Sequence, residues 1–150
     1  MITKPPRGHE WLSDELERLC SPKYSSCVVI VDATQSNYPI VFATAKFMTI
    51  TGYERDFIIG KNARFLHGPE TCTKAIAEVK DALKNAKPVD VEMVNYTKGG
   101  RKLINSMSVT PFFDTAGQIK SFGAYVTFTP VEPVINVQPT CTKSPKLIRF

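Results

Sequence analysis

Between Val89 and Phe128 the chain carries three successive runs of alternating apolar and polar residues, and no other feature restricts its fold as strongly. VDVEMVNYT sets Val89, Val91 and Met93 on one side, with Asp90 and Glu92 on the other. RKLINSMSVTPF repeats the period through Leu103, Met107 and Val109, and IKSFGAYVTFT through Phe122, Ala124, Val126 and Phe128. Successive side chains of a strand point to opposite faces, so a period of two marks strands with one face in a core. KGG and DTAGQ turn the chain between the runs. Three strands in series then need a partner layer for their apolar face.

The earlier part of the chain supplies it. CVVIVD at 27–32 is short and β-branched and reads as a strand, with a turn and a second strand around 39–43. From 44 to 86 the pattern becomes helical. Short pieces near AKFMTIT and ERDFII are broken at Gly52 and Gly60, and a longer helix over 71–86 puts Ile76, Val79 and Leu83 on one face. HEWLSDELERLC at 9–20 repeats Trp11, Leu12, Leu16 and Leu19 at helical spacing. After Pro130 come three further prolines and no periodicity. The expected architecture is α+β: a five-stranded antiparallel sheet with helices over one face, an N-terminal helical cap and linker (1–26), a core (27–129) and a Pro-rich basic extension (130–150).

Composition narrows the function classes. At 150 residues the chain fits one domain with its own core. No run approaches the roughly 18 apolar residues of a membrane helix, and MITKPPRGHEWL lacks the apolar centre of a secretory signal. A cytoplasmic or nuclear place is expected. Cys20, Cys27, Cys72 and Cys141 match no zinc spacing and read as reduced thiols. Of the net charge of +5, three units come from Lys143, Lys146 and Arg149 in the tail, so the body is near balance and nucleic-acid binding by this domain is not expected. His9 and His67, the two histidines, belong to no catalytic constellation, and no Ser-His-Asp, metal or phosphate-cradle pattern occurs, so an enzyme is not expected either.

The alternation places Asn95 on the Val91–Met93 face and Asn105 on the Leu103–Met107 face. Both amides point inward. A buried amide without partners costs a few kcal/mol, so each must meet the other, the backbone, water or a polar ligand. Asn62, Arg64 and His67 stand close together in GKNARFLHGPET at 60–71, around the unreactive Ala63.

GKNARFLHGPET, with TGY at 51–53 and NYTKGGRKLIN at 95–105, resembles the light-oxygen-voltage (LOV) branch of the PAS superfamily from about Cys27 to Phe128. The N-terminal helix and short length are similar to small Vivid-type LOV proteins. The resemblance implies a PAS fold holding a flavin, FMN or FAD, between sheet and helices. The family's segment is G-x-N-C-R-F-L-Q, whose Cys forms a light-driven thioether bond with the flavin. By position, Asn62 and Arg64 are kept, the Cys is Ala63 and the Gln is His67, next to Leu66. Asn95 and Asn105 match the pair that hydrogen-bonds the polar edge of the flavin ring. The second phosphate-binding Arg is Lys80, which keeps charge without the bidentate fork. The ribityl-contacting Thr and Asn are Val31 and Tyr38, and the last-strand Gln that relays the signal is Val126, on the face of Phe122.

These departures imply a PAS module that cannot form the adduct at residue 63. Flavin binding is expected to be weakened or lost, since several polar contacts at roughly 1 kcal/mol each amount to orders of magnitude in affinity. Two functions follow. One is a sensory or regulatory module acting by protein–protein contact or homodimerisation, with another PAS or effector protein as partner, through the N-terminal helix and C-terminal extension. The other is a flavin-binding blue-light or redox sensor working by photoreduction to the semiquinone without a cysteine. Asn62, Arg64, Asn95 and Asn105 favour the second; Val126, with no amide to reorient, disfavours it.

Overall fold

The structure, a computed structural model, describes residues 26–131. Strands β1 (Ser26–Asp32) and β2 (Ile40–Ala43) come first. Helices α1 (Ala45–Thr51) and α2 (Arg55–Ile58), a 3-10 turn (Ala63–Leu66) and α3 (Thr73–Lys84) follow, and β3 (Val89–Tyr96), β4 (Lys102–Phe113) and β5 (Ile119–Pro130) end the described chain. The expected helix at 9–20 and the tail beyond 131 lie outside the described residues. No helix among the described residues is long and apolar enough to cross a membrane.

The five strands form one antiparallel sheet in the order β2-β1-β5-β4-β3, as the alternation predicts. β2 and β3 are consecutive in the chain but occupy opposite edges. Residues 44–88 must therefore cross a whole sheet face, and this traverse is the helical layer. It is pinned at its start. Gly60, at φ 91°, turns its N–H onto the Ile40 carbonyl at 2.8 Å, and Ile40 N–H bonds back to Lys61 O at 2.8 Å. The left-handed backbone at Gly60 suits the one residue without a Cβ. The 3-10 turn thus starts directly from the β2 edge. At the other edge α3 packs Ala75 against Val91 and Met93, with Val79 alongside. Ala75 and Ala82 are its most buried residues, while Ile76, Val79 and Leu83 are half-buried.

Two expectations need correction. Glu92 is only 4% exposed and its neighbour Val94 is buried as well, so β3 is buried on both sides at its centre. Val28, Ile30 and Phe42, on the face away from the helices, form a second buried cluster. Alternation shows which residues share a face; it carries no information on whether the second face is covered. Cys72 caps the N-terminus of α3, its Sγ accepting from Ala75 N–H, and it is disulfide-bonded rather than a reduced thiol. Disulfides form between tertiary neighbours at a narrow separation, which spacing along a chain does not encode.

Candidate ligand-binding site

The site begins at the turn Asn62–His67. Asn62 caps it, its Oδ1 accepting from Arg64 N–H at 2.9 Å, as short polar side chains do at such starts. The Asn62 Nδ2 donates to Asn37 O at 2.7 Å. Both terminal nitrogens of Arg64 donate to Asn37 Oδ1, each at 3.2 Å. One residue of the β1–β2 loop therefore holds both polar residues of the turn. Beyond His67 the chain is fixed to β3: Thr71 Oγ1 accepts from Gly68 N–H at 2.9 Å and donates to Val94 O at 2.7 Å. The Tyr96 ring lies so close over Gly68 that an added Cβ would sit 2.3 Å from it. Its hydroxyl accepts from Glu70 N–H at 3.0 Å.

Between these anchors Ala63 and Leu66 turn to the core, while Phe65 packs edge-on against Tyr53 and Phe57. Leu66 is buried in the main core cluster with Val126 and Phe128, and Ala63 packs against the same cluster beside Val31 and Met107. Across the sheet, Val126 stands between Met107 on β4 and Cys27 on β1. Residue 63 and residue 126 thus meet the same core from opposite layers. Cys27 is a buried thiol on the sheet side of that core.

The polar end of the site lies on β3 and β4. Asn95 and Asn105 are 2% and 5% exposed. Asn105 Nδ2 donates to Asn95 Oδ1 at 2.7 Å, and Asn95 Nδ2 donates to Val94 O at 3.0 Å. Asn105 Oδ1 is buried and accepts no hydrogen bond. Every side-chain polar atom of the pair except Asn105 Oδ1 has a partner, and that acceptor costs about 1–3 kcal/mol unless a donor reaches it.

At the other end, Val31 lies opposite Phe122 across β1 and β5, and Tyr38 meets Phe122 edge-on at 6.1 Å between ring centroids. Tyr38 has a φ of 46°, a left-handed conformation that is uncommon for a bulky residue and that Asn, the type the resemblance has here, adopts more readily. The outer end of the candidate site, its mouth, carries two cations, Arg64 and Lys80. Arg64 and Lys80 are exposed, His67 half-buried. Burial first, then the charges of Arg64 and Lys80, push the His67 imidazole below its ordinary pKa. In the adjoining loop, hydrogen bonds from Thr34 and Gln35 hold Asp32 below the usual carboxylate range, despite a small opposing effect of burial.

The sequence-predicted residues fall into three groups: Asn95 with Asn105; Ala63, Leu66, Val126 and Val31 around one core; and Arg64, His67 and Lys80 at the mouth. Tyr38 and Phe122 stand apart from these groups, in edge-on ring contact with each other. Asn62 uses both amide atoms inside the protein. Sequence reasoning missed Asn37, a turn residue with no periodic signal. It also missed Cys27, although the parity of Cys27 with Val29 and Val31 was enough to place it inward. No cluster of metal-ligating side chains occurs among the described residues.

Known proteins share this fold. The profile of the PAS domain family matches residues 25–128. Rice (Oryza sativa subsp. japonica) Phototropin-1A is 39% identical over 94 residues, 63% of this chain and 10% of that protein. Rice Phototropin-2 is 35% identical over 117 residues, 78% of this chain and 12% of that protein. A blue-light-activated histidine kinase of Rhizobium johnstonii is 33% identical over 108 residues, 72% of this chain and 31% of its own length. The chain therefore spans less than a third of these relatives. Among solved structures, the Aureochrome1 LOV domain in its light state superposes with a TM-score of 0.65 at 34% identity, covering 71% of this chain and 81% of its own. A light-oxygen-voltage domain studied with a flavin analogue gives 0.72 at 29% identity, with 82% and 86% covered.

Proposed function

The chain belongs to the PAS family, in its light-oxygen-voltage branch, and from that premise we propose that it is a sensory and regulatory module that makes no cysteinyl–flavin bond at residue 63 and signals by protein–protein contact or dimerisation. One observation carries the reading. At residue 63 the turn presents a methyl to the core cluster, and on the sheet side that cluster contains Val126. The bond needs a thiol(ate) within reach, and relay to the sheet needs a group that can exchange hydrogen bonds. Neither side chain can act so.

The remaining residues still fit a flavin. Asn105 Oδ1 is a buried acceptor awaiting a donor, which the ring N–H of a flavin's polar edge would satisfy. Asn95 would hold Asn105 in register, and Arg64 and Lys80 would meet a phosphate tail. A bound flavin supplies a blue-light-absorbing, redox-active ring. Val31, Tyr38 and Phe122 present apolar or bulky surface where the ribityl chain would run, so binding is weak. The orphaned acceptor is also what favours the second reading, a sensor using flavin photoreduction without a cysteine.

The deciding experiment is the absorption spectrum of the purified chain in the dark and under blue light, with flavin assayed in the denatured supernatant and mass measured by light scattering. The regulatory reading expects little or no flavin and concentration-dependent association. A structured blue band that bleaches reversibly, with a monomer in both states, would replace it with the photoreduction reading.

A further inference from the structure

We infer that Cys72 is bonded to Cys141, so that a disulfide clamps the C-terminal extension to the start of α3, and that thiol–disulfide exchange at this bond releases the extension as a redox switch. The pairing follows from the fold and the length of chain; its use as a switch on output rests on the regulatory reading given under Proposed function.

Cys72 is disulfide-bonded, and Cys27 is a free buried thiol on β1. The chain has four cysteines, so the partner is Cys20 or Cys141, both outside the described residues. Chain reach separates the two. Cys72 packs beside Ala75, Val91 and Met93, on the helix side of the sheet at its β3 edge. Its neighbour Thr71 is tied to that edge by the 2.7 Å bond to Val94 O. The described chain ends next to this loop. Val131 N–H bonds to Lys102 O at 3.2 Å, Lys102 pairs with Tyr96 across β4 and β3, and its Nζ meets Glu70 Oε2 at 3.0 Å, two residues before Cys72. Ten further residues lead from Val131 to Cys141, a reach of up to about 33 Å. The span to cover is about 10 Å across two strand spacings and about 10–17 Å along β3, from the level of Tyr96 to that of Val91 and Met93.

The N-terminal route is too short. Ser26 is level with Glu92 through Thr127 and Ser106, three strand spacings or about 14 Å from β3. The core fills the helix side between them, so a chain from Ser26 must cross the far face and round the β3 edge, which adds about the 10 Å that separates packed layers. The six residues back to Cys20 reach about 20 Å at full extension.

The bond is placed for exchange. Cys72 is half-buried, and its Sγ accepts the Ala75 N–H at 3.4 Å at the N-terminus of a 12-residue helix, where the backbone dipoles stabilise negative charge on sulfur. An external thiolate attacks Cys141 Sγ, Cys72 leaves as the thiolate, and a second thiol resolves the mixed disulfide. The protein disulfide gains two electrons and two protons, and the two external thiols become one disulfide. The cap needs only the sulfur as acceptor, so reduction frees the extension, with Lys143, Lys146 and Arg149, while α3 stays formed.

The test maps the bond and reads the release. The full chain is purified without reductant, its free thiols are alkylated, and it is digested with trypsin. Residues 65–74 and 121–143 are expected as one linked species that dithiothreitol splits. In brief digestion of the native chain, cleavage after Lys143 and Lys146 is expected to be roughly tenfold faster with dithiothreitol than without. Cys141→Ser, and Cys72→Ser, which keeps a capping oxygen, are each expected to be cut at the fast rate under both conditions. Mass by light scattering is expected to change with reduction in the wild type and in neither variant. Alkylated Cys72, Cys72 linked to residues 19–23, or cleavage indifferent to reductant overturns the proposal. Linked peptides and reductant-dependent cleavage at constant mass uphold the clamp and count against association as its output. A concentration-dependent mass with Cys72 alkylated sinks the clamp and leaves the regulatory reading standing.

Discussion

The two polar ends of the candidate pocket are built from the same residue type and behave as opposites. At the deep end, Asn95 and Asn105 are buried and bonded to each other at 2.7 Å, with one acceptor left over. At the mouth, Asn37 ties Asn62 and Arg64 at 2.7–3.2 Å, but Asn37 and Arg64 are exposed. A hydrogen bond lost in the interior leaves a partner that water cannot reach, whereas one lost at the surface is replaced by solvent. The deep end should therefore govern stability and ring recognition, and the mouth should govern the tail of a ligand.

Mutations can break that contrast. Leu66→Ala removes the apolar anchor between the two ends and should cost about 3 kcal/mol, read by chemical denaturation, because the cavity opens in the main core cluster. Asn95→Ala strips the acceptor from Asn105 Nδ2 and should cost about 2 kcal/mol. The double change Asn95→Leu with Asn105→Leu should cost less than that single one, since no buried amide is then left unpaired, and a double mutant less stable than Asn95→Ala would show that the pair is more than an internal hydrogen-bond unit. Asn37→Ala should cost about 1 kcal/mol or less and should weaken FMN more than riboflavin. Equal weakening of both would place Asn37 in ring recognition instead. The smallest effect is expected at Asp32. Its pKa is depressed in the folded protein, so its contribution is present at neutral pH and lost as pH falls through and below the ordinary carboxylate value of about 3.9. After allowance for solvent screening, Asp32→Asn should cost under about 1 kcal/mol at pH 7, and the difference from wild type should vanish in acid.

Much of the fold is legible along the chain because it rests on short-range patterns. The alternation of Val89–Phe128 marks β3, β4 and β5, the glycines at 52 and 60 mark where helices stop, and the inward parity of Asn95 and Asn105 predicts their burial. The short 3-10 turn at Ala63–Leu66 left no periodic trace, since four residues are too few to show a period. The burial of Glu92 was illegible for a different reason: the same alternation fits a sheet with one covered face or with two.

The site divides along the same line. Residue chemistry was readable: a methyl at 63, a valine at 126, amides at 95 and 105, and cationic side chains at 64 and 80 all follow from the sequence and its family resemblance. What the tertiary structure alone decided is which groups meet. Asn37 reaches Asn62 and Arg64 across 25 and 27 residues, and Cys27 comes to lie beside Val126 through the β1–β5 pairing. Local patterns record the face a residue occupies because backbone geometry repeats every few residues. Contacts between distant segments depend on the order in which strands join the sheet, and here β2 and β3 at opposite edges carry the turn across the face where those contacts are made.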